Sequence, residues 1–311
     1  VWADEYAALQ DIPMIDTVML RTPMILHPKS SKRTGMFTEI DTQPMTYFNK
    51  GESNWFCYPC KVGALLCFVY FNSKYMSSAL SMANLFELAT KEESAQKPDL
   101  VVIFGNDDGN DDTNFYYDEA NDIWVGCISD NPRIEYFGYL KKMCLTLHNL
   151  AQMKKGWLPI HGAFVNIYLK DGTKKGIMLM GDSGAGKSES IEALKAAAGD
   201  MIREVEVVFD DMGTIHLEDG VPYGQGTEIG AFIRLDDLDP GTPYRDMDRS
   251  IFMAPENPNA RMIQPAAPYR VVVHNHKIDL FAYANNYTNE FGLKKLTAQE
   301  VKDTCKLGKR M

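Results

Sequence analysis

Eight residues, Gly181-Asp182-Ser183-Gly184-Ala185-Gly186-Lys187-Ser188, meet every fixed position of the pattern G-x-x-x-x-G-K-[ST], a means of holding a polyphosphate. Three glycines let the backbone turn inward, so that successive N–H groups face an anion instead of a wall of Cβ atoms. Lys187 then reaches the outer phosphates, and Ser188 offers its hydroxyl to the magnesium that accompanies them. The alternative is an ordinary glycine-rich turn, and the neighbouring residues argue against it. Gly176-Ile177-Met178-Leu179-Met180 is an apolar run of buried-strand length, and Ser188 to Ala198 is rich in helix formers. A loop from strand to helix N-terminus puts free N–H groups and the positive end of the helix dipole at the phosphates. ATP with Mg²⁺ is the expected cofactor.

The elements that must position this loop are read from the surrounding pattern. Gly162 to Leu169 and Gly176 to Met180 read as two strands joined through Lys170-Asp171-Gly172-Thr173, where Asp-Gly is a hairpin signal. An antiparallel hairpin leading into a phosphate loop departs from the parallel βαβ arrangement of ordinary phosphate-loop NTPases. Val205 to Phe209 reads as a strand that delivers Asp210 and Asp211 at its end, where carboxylates can meet metal held at the loop. Upstream, strands are expected at Val62 to Phe71, Leu100 to Phe104 and Ile123 to Ile128. Helices are expected over Tyr75 to Ala89 and Ile134 to Lys155, the latter ended by Gly156. Downstream, Gly213 to Leu217, Ile229 to Leu235 and Tyr269 to His274 read as strands, with Ile278 to Tyr283 completing a late hairpin. Extended segments are expected before residue 57.

Within this frame the chain resembles the phosphoenolpyruvate carboxykinase superfamily, which includes the C-terminal domain of HPr kinase/phosphorylase. Gly181 to Ser190 is similar to the HPr-kinase form of the loop and close to the carboxykinase form, which has Thr at position 188. His161-Gly162 opens the hairpin as in both branches. Gly138-Tyr139-Leu140-Lys141-Lys142 is similar to the glycine-x-x-lysine-lysine segment of ATP-dependent carboxykinases, and Lys142 stands nineteen positions before His161, the interval of that pattern. Asp210-Asp211 and the downstream Asn259-Ala260-Arg261 complete the likeness, which covers roughly half of the chain, Tyr136 to Tyr283. Tyr139 stands where the family carries an acid, the interval from Lys187 to Asp211 is long, and no segment matches the family's organic-acid arginine loop. Arg21 and Arg33 are candidates for that arginine by position.

The resemblance implies an α/β fold of carboxykinase type, with mixed sheets and the hairpin leading into the loop. It implies an N-terminal substrate-side domain over 1–155 and a C-terminal nucleotide-binding domain over 156–311. It implies two metal ions, Mg²⁺ on the nucleotide near Ser188 and Asp210, and Mn²⁺ or a similar ion held by Lys142, His161 and Asp211. Lys142 would bind as a neutral amine. Lys141 and Arg261 would contact substrate and phosphate oxygens, with Lys141, Lys187, Asp210 and Arg261 as the catalytic set. The expected activity is ATP-dependent phosphoryl transfer with a small organic acid. A kinase of a protein or small-molecule hydroxyl, with one aspartate as base, and a non-catalytic ATP-binding module are the alternatives.

Composition bounds the rest. The chain has 311 residues, 45% hydrophobic and 24% charged, the balance of a globular protein. A net charge of −10 argues against a nucleic-acid surface, and no apolar run reaches membrane-span length. Without a signal peptide the expected location is cytoplasmic, and a first residue other than Met reads as a processed or cropped N-terminus. The six irregularly spaced cysteines fit a reducing compartment. Cys57-Tyr58-Pro59-Cys60 is either half of a zinc or redox site or two ordinary cysteines in a turn. The basic segment His27 to Gly35 is either an anion-binding loop or a solvated one, and Asn106 to Asp112 reads as a solvated acidic turn.

Overall fold

The computed structural model describes residues 3–181, 198–238, 247–285 and 292–307. Of the phosphate loop only Gly181 is among them. Asp182 to Ser188, and nearly all of the helix expected after them, lie outside the described residues. In chain order the strands are β1 (Met24–Leu26), β2 (Thr38–Glu39), β3 (Trp55–Val62), β4 (Leu65–Asn72), β5 (Glu87–Leu88), β6 (Leu100–Asn106), β7 (Thr113–Asp118), β8 (Ile123–Ser129), β9 (Leu158–Leu169), β10 (Lys174–Met180), β11 (Ile202–Glu218), β12 (Val221–Gly226), β13 (Gly230–Arg234), β14 (Ile251–Met253), β15 (Arg261–Pro265), β16 (His276–Lys277) and β17 (Leu280–Tyr283). The α-helices are α1 (Met76–Leu80), α2 (Lys91–Ser94), α3 (Gly138–Lys154), α4 (Tyr269–Val272) and α5 (Ala298–Leu307). The fold is mixed α/β, with parallel and antiparallel pairs in each of three sheets. Among the described residues no helix is long and apolar enough to cross a membrane.

The chain forms two compact units, residues 1–155 with 227–269, and residues 156–226 with 270–311. The single boundary expected after Lys155 is therefore incomplete. Residues 227–269 return to the first unit because β13, β14 and β15 pair with one another and with β1.

In the first unit a seven-stranded sheet runs β2-β7-β8-β6-β4-β3-β5. β6 is buried along its whole length, which explains why it reads as a continuous apolar run and not as an alternating one. Tyr6 and Leu9 of the N-terminal 3₁₀ turn, with Ile12 just after it, pack with Cys57, Tyr70, Val101, Ile103 and Val125, and α3 lies along β6 and β8. α3 starts at Gly138, after a 3₁₀ turn over Pro132–Glu135, later than the sequence pattern suggests. The helix expected over Tyr75 to Ala89 is broken into 3₁₀, α and 3₁₀ turns. Its serines are the reason: Ser81 Oγ bonds back to the Ser77 carbonyl at 2.6 Å, a contact that competes with the helical ladder. Cys57 and Cys60 lie in β3 and not in a turn, both fully buried. Burial raises both thiols, which removes them from thiolate chemistry.

In the second unit a six-stranded sheet runs β16-β12-β11-β9-β10-β17. β9 and β10 form the expected antiparallel hairpin, and β11 pairs antiparallel with the other edge of β9. The late hairpin is absent, because β17 pairs parallel with β10 while β16 pairs with β12. Residues 269–272 form a helical turn instead of a strand, and the buried His276 bonds the Val271 carbonyl through Nε2 at 2.6 Å, meeting an acceptor that a helix end leaves open.

Candidate functional site

Three adjacent strands of the second unit bring its candidate residues level. Gly162 of β9 faces Met180 of β10 on one side and Asp211 of β11 on the other. The chain passes from Met180 to Gly181, whose N–H is 3.5 Å from the His161 carbonyl, at the long end of hydrogen-bond range. The start of the phosphate-loop sequence and Asp211 thus flank one strand, about two strand spacings, roughly 10 Å, apart.

Asp210 and Asp211 do not end a strand, as the sequence suggests, but lie in the middle of the seventeen-residue β11. A register shift between Val207 and Phe209 immediately precedes them. Val205 and Val207 alternate into one apolar cluster, whereas the consecutive Val208 and Phe209 both belong to the other. The extra residue reverses the phase of the strand, and so decides to which face each aspartate projects.

His161 is the other component. Its Nε2 lies 3.0 Å from Asp211 Oδ1, with the two side chains 43% and 24% exposed. A Cβ at position 162 would come 2.5 Å from the Leu179 carbonyl oxygen, so only glycine allows β9 and β10 to approach here. An imidazole nitrogen and a carboxylate oxygen about 3 Å apart have the spacing of neighbouring ligands at about 2.1 Å around one ion. The pair therefore fits the metal the resemblance implies in donor type and separation. Among the described residues no group of three or more His, Cys, Asp or Glu side chains is placed to hold an ion. Among the described residues, His161 and Asp211 are the pair brought together there.

The first unit holds the remaining candidates. Lys141, on α3, is buried, and its Nζ lies 3.0 Å from Glu228 Oε1, itself buried just before β13. A lysine so deep in the fold requires a counter-charge, because an unpaired buried ion costs several kcal/mol. Lys142, one position on, is exposed. Arg261 opens β15 opposite Arg234 of β13. Arg234 is engaged by Asp236, and that guanidinium holds the Asp236 carboxyl below its ordinary range. Arg261 has no ion pair among the described residues, and its Nε is buried without a hydrogen-bond partner. Its guanidinium carbon sits 5.5 Å from the ring centroid of Phe232.

No family model and no curated protein sequence matches the chain.

The remaining expectations fall as follows. Lys187 and Ser188 lie outside the described residues. Arg33 and Arg21 are exposed. Arg33 bonds the Gly35 carbonyl at 2.5 Å and lies over the Phe37 ring. The basic loop around it is fastened: Lys29 N–H to Glu135 at 2.8 Å, Thr34 N–H to the Tyr139 hydroxyl at 3.1 Å, and the Ser31 carbonyl to Asn259. Tyr139, where the family has an acid, is thus a buried anchor for that loop. Glu228 and Phe232 carry no motif and were not singled out by sequence. The only signal for Glu228 is physical, that a buried lysine must have an acid.

Proposed function

We propose that the chain is an ATP-dependent phosphoryl-transfer enzyme of phosphoenolpyruvate carboxykinase type, with nucleotide and a small organic acid as substrates and Mg²⁺ and Mn²⁺ as its ions. One observation carries this reading: His161, Asp211 and the first glycine of the phosphate-loop sequence are level across β11, β9 and β10. Phosphoryl transfer asks for positioning and charge neutralisation around the transferred group more than for covalent chemistry, and the candidate residues are suited to that task.

In this reading the loop backbone and Lys187 hold the nucleotide phosphates, Ser188 and Asp210 serve the magnesium, and His161 with Asp211 serve the second ion. Lys142, which the resemblance assigns to that ion, belongs to the first unit, as do Lys141 and Arg261. When bound, the ions neutralise charge on the phosphate oxygens. Arg261, a guanidinium with no ion pair among the described residues, is suited to an oxyanion, since its planar fork matches phosphate geometry. Lys141 reaches a ligand only by loosening its pairing with Glu228.

The test is turnover of ATP with Mg²⁺ and Mn²⁺ against oxaloacetate, other small acids, and hydroxyl acceptors including serine peptides. Oxaloacetate-dependent phosphoenolpyruvate formation supports the reading. Phosphate appearing on serine or an alcohol without such turnover replaces it with a hydroxyl kinase, and tight ATP binding without any turnover replaces it with a binding module.

A further inference from the structure

One ring in the first unit carries two cations. The Lys141 ammonium and the Arg261 guanidinium each lie 5.5 Å from the centroid of Phe232, at the centre of β13. Phe137 meets that ring in a T-shaped contact at 5.5 Å and 67°, and Tyr136 lies at 6.0 Å. Lys141 is also met by an acid, Glu228, whereas Arg261 forms no ion pair among the described residues, although its charge helps to hold the Asp236 carboxyl below its ordinary range. The negative face of an aromatic ring is the other available compensation. Packing against Phe137 and Tyr136 holds that ring in place, so among the described residues aromatic packing is what meets the Arg261 guanidinium.

We propose that Phe232 is a positioning residue: its ring holds the Arg261 guanidinium in the place where a phosphate-bearing ligand meets the arginine. This rests on the reading of Arg261 as a phosphate contact. An aliphatic residue of similar volume keeps the packing and removes the ring face. An arginine freed from that face samples many rotamers, and a ligand must then order it at an entropic cost.

The experiment compares Phe232→Leu and Phe232→Tyr in the full chain by two readouts. The first is the ¹H–¹⁵N signal of the Arg261 Nε–H, assigned by its disappearance in Arg261→Lys. In the parent protein this buried, unpartnered group beside a ring is expected to be ring-shifted and slow to exchange. The second is affinity for MgATP and for inorganic pyrophosphate by calorimetry. Phe232→Leu is expected to collapse the shift and protection of the signal and to weaken MgATP binding roughly fivefold, the scale of one cation–π contact. Phe232→Tyr, which keeps the ring, is expected to restore both. An Arg261 signal unchanged in Phe232→Leu overturns the proposal, as does lost affinity that Phe232→Tyr fails to restore. If the signal responds as stated but the parent protein binds neither MgATP nor pyrophosphate, the positioning of Arg261 by Phe232 stands and the nucleotide reading falls.

Discussion

His161 Nε2 lies 3.0 Å from Asp211 Oδ1, and the residue that Asp211 faces across the strands is Gly162, which has no side chain to intervene. Both members are too exposed for the pair to contribute much stability, less than about 1 kcal/mol by the usual measure of such contacts. Asp211→Asn is therefore expected to leave the melting temperature nearly unchanged while weakening Mn²⁺ binding by roughly tenfold or more, read by the electron paramagnetic resonance of the free ion. Asp210→Asn should spare Mn²⁺ and impair turnover with Mg²⁺. Equal Mn²⁺ titrations for the two variants contradict the division of roles.

Gly162→Ala tests the strand approach itself. Its new Cβ meets the Leu179 carbonyl oxygen at 2.5 Å, so β10 must move, and with it the entry to the phosphate-loop sequence. Overpacking of this kind costs about 1–3 kcal/mol. The expected outcome is lower stability in urea and a weaker MgATP complex together. Unchanged urea midpoints would show that the strands tolerate the displacement.

His148 makes the stability of the first unit depend on pH. Burial holds it neutral, with its pKa lowered to about 4, Lys155 adding to that and the bond to Asn149 opposing it. Its Nδ1 lies 3.3 Å from Asn149 Oδ1, and its Nε2 3.4 Å from the Gln152 amide nitrogen. Below the ordinary histidine value near 6.5 the unfolded chain takes up a proton that the folded chain refuses. Stability is thus present above about pH 6.5 and lost as pH falls towards 4, by about 3 kcal/mol at most. His148→Leu should flatten urea-derived stability over that window relative to the parent. Parallel curves for the two proteins would exclude the effect.

The hairpin of β9 and β10 was legible because apolar runs of strand length flank an Asp-Gly turn, signals local to the stretch Gly162 to Met180. The length of β11 was not, since Asp210-Asp211 reads as the end of one strand and Gly213 as the start of another. In the fold Gly213 faces Gly226, and the Phe209 ring occupies the space where its Cβ would stand, so a tertiary contact has chosen that glycine. The serines of Tyr75 to Ala89 hid a broken helix behind an apolar period. Of the candidate site, His161 and Asp211 were legible as motif members. The Lys141–Glu228 pair and the Phe232 ring join residues 87 and 91 positions apart, and no spacing rule reaches that far.

Under the proposed phosphate-loop reading, Lys187→Ala is expected to weaken ATP binding roughly tenfold or more while leaving folding intact, because in that reading backbone N–H groups would form the cradle and the lysine would add charge. Calorimetry with MgATP checks it. Undiminished affinity removes the phosphate-loop assignment and everything built on it.

Arg261 separates charge from geometry. Its guanidinium carries no carboxylate among the described residues, its Nε has no partner, and the neighbouring Arg234 is already engaged by Asp236. Removing it with Arg261→Met breaks no ion pair among the described residues, so the fold should survive with little loss in stability. Turnover should fall by about a hundredfold or more, the scale of one donor to a developing oxyanion. Arg261→Lys keeps the charge and loses the planar fork, so a ligand held bidentately should bind it almost as poorly as the methionine variant. A lysine variant with parental turnover would mean that only net charge is read at this position. A methionine variant with parental turnover would remove Arg261 from the site altogether.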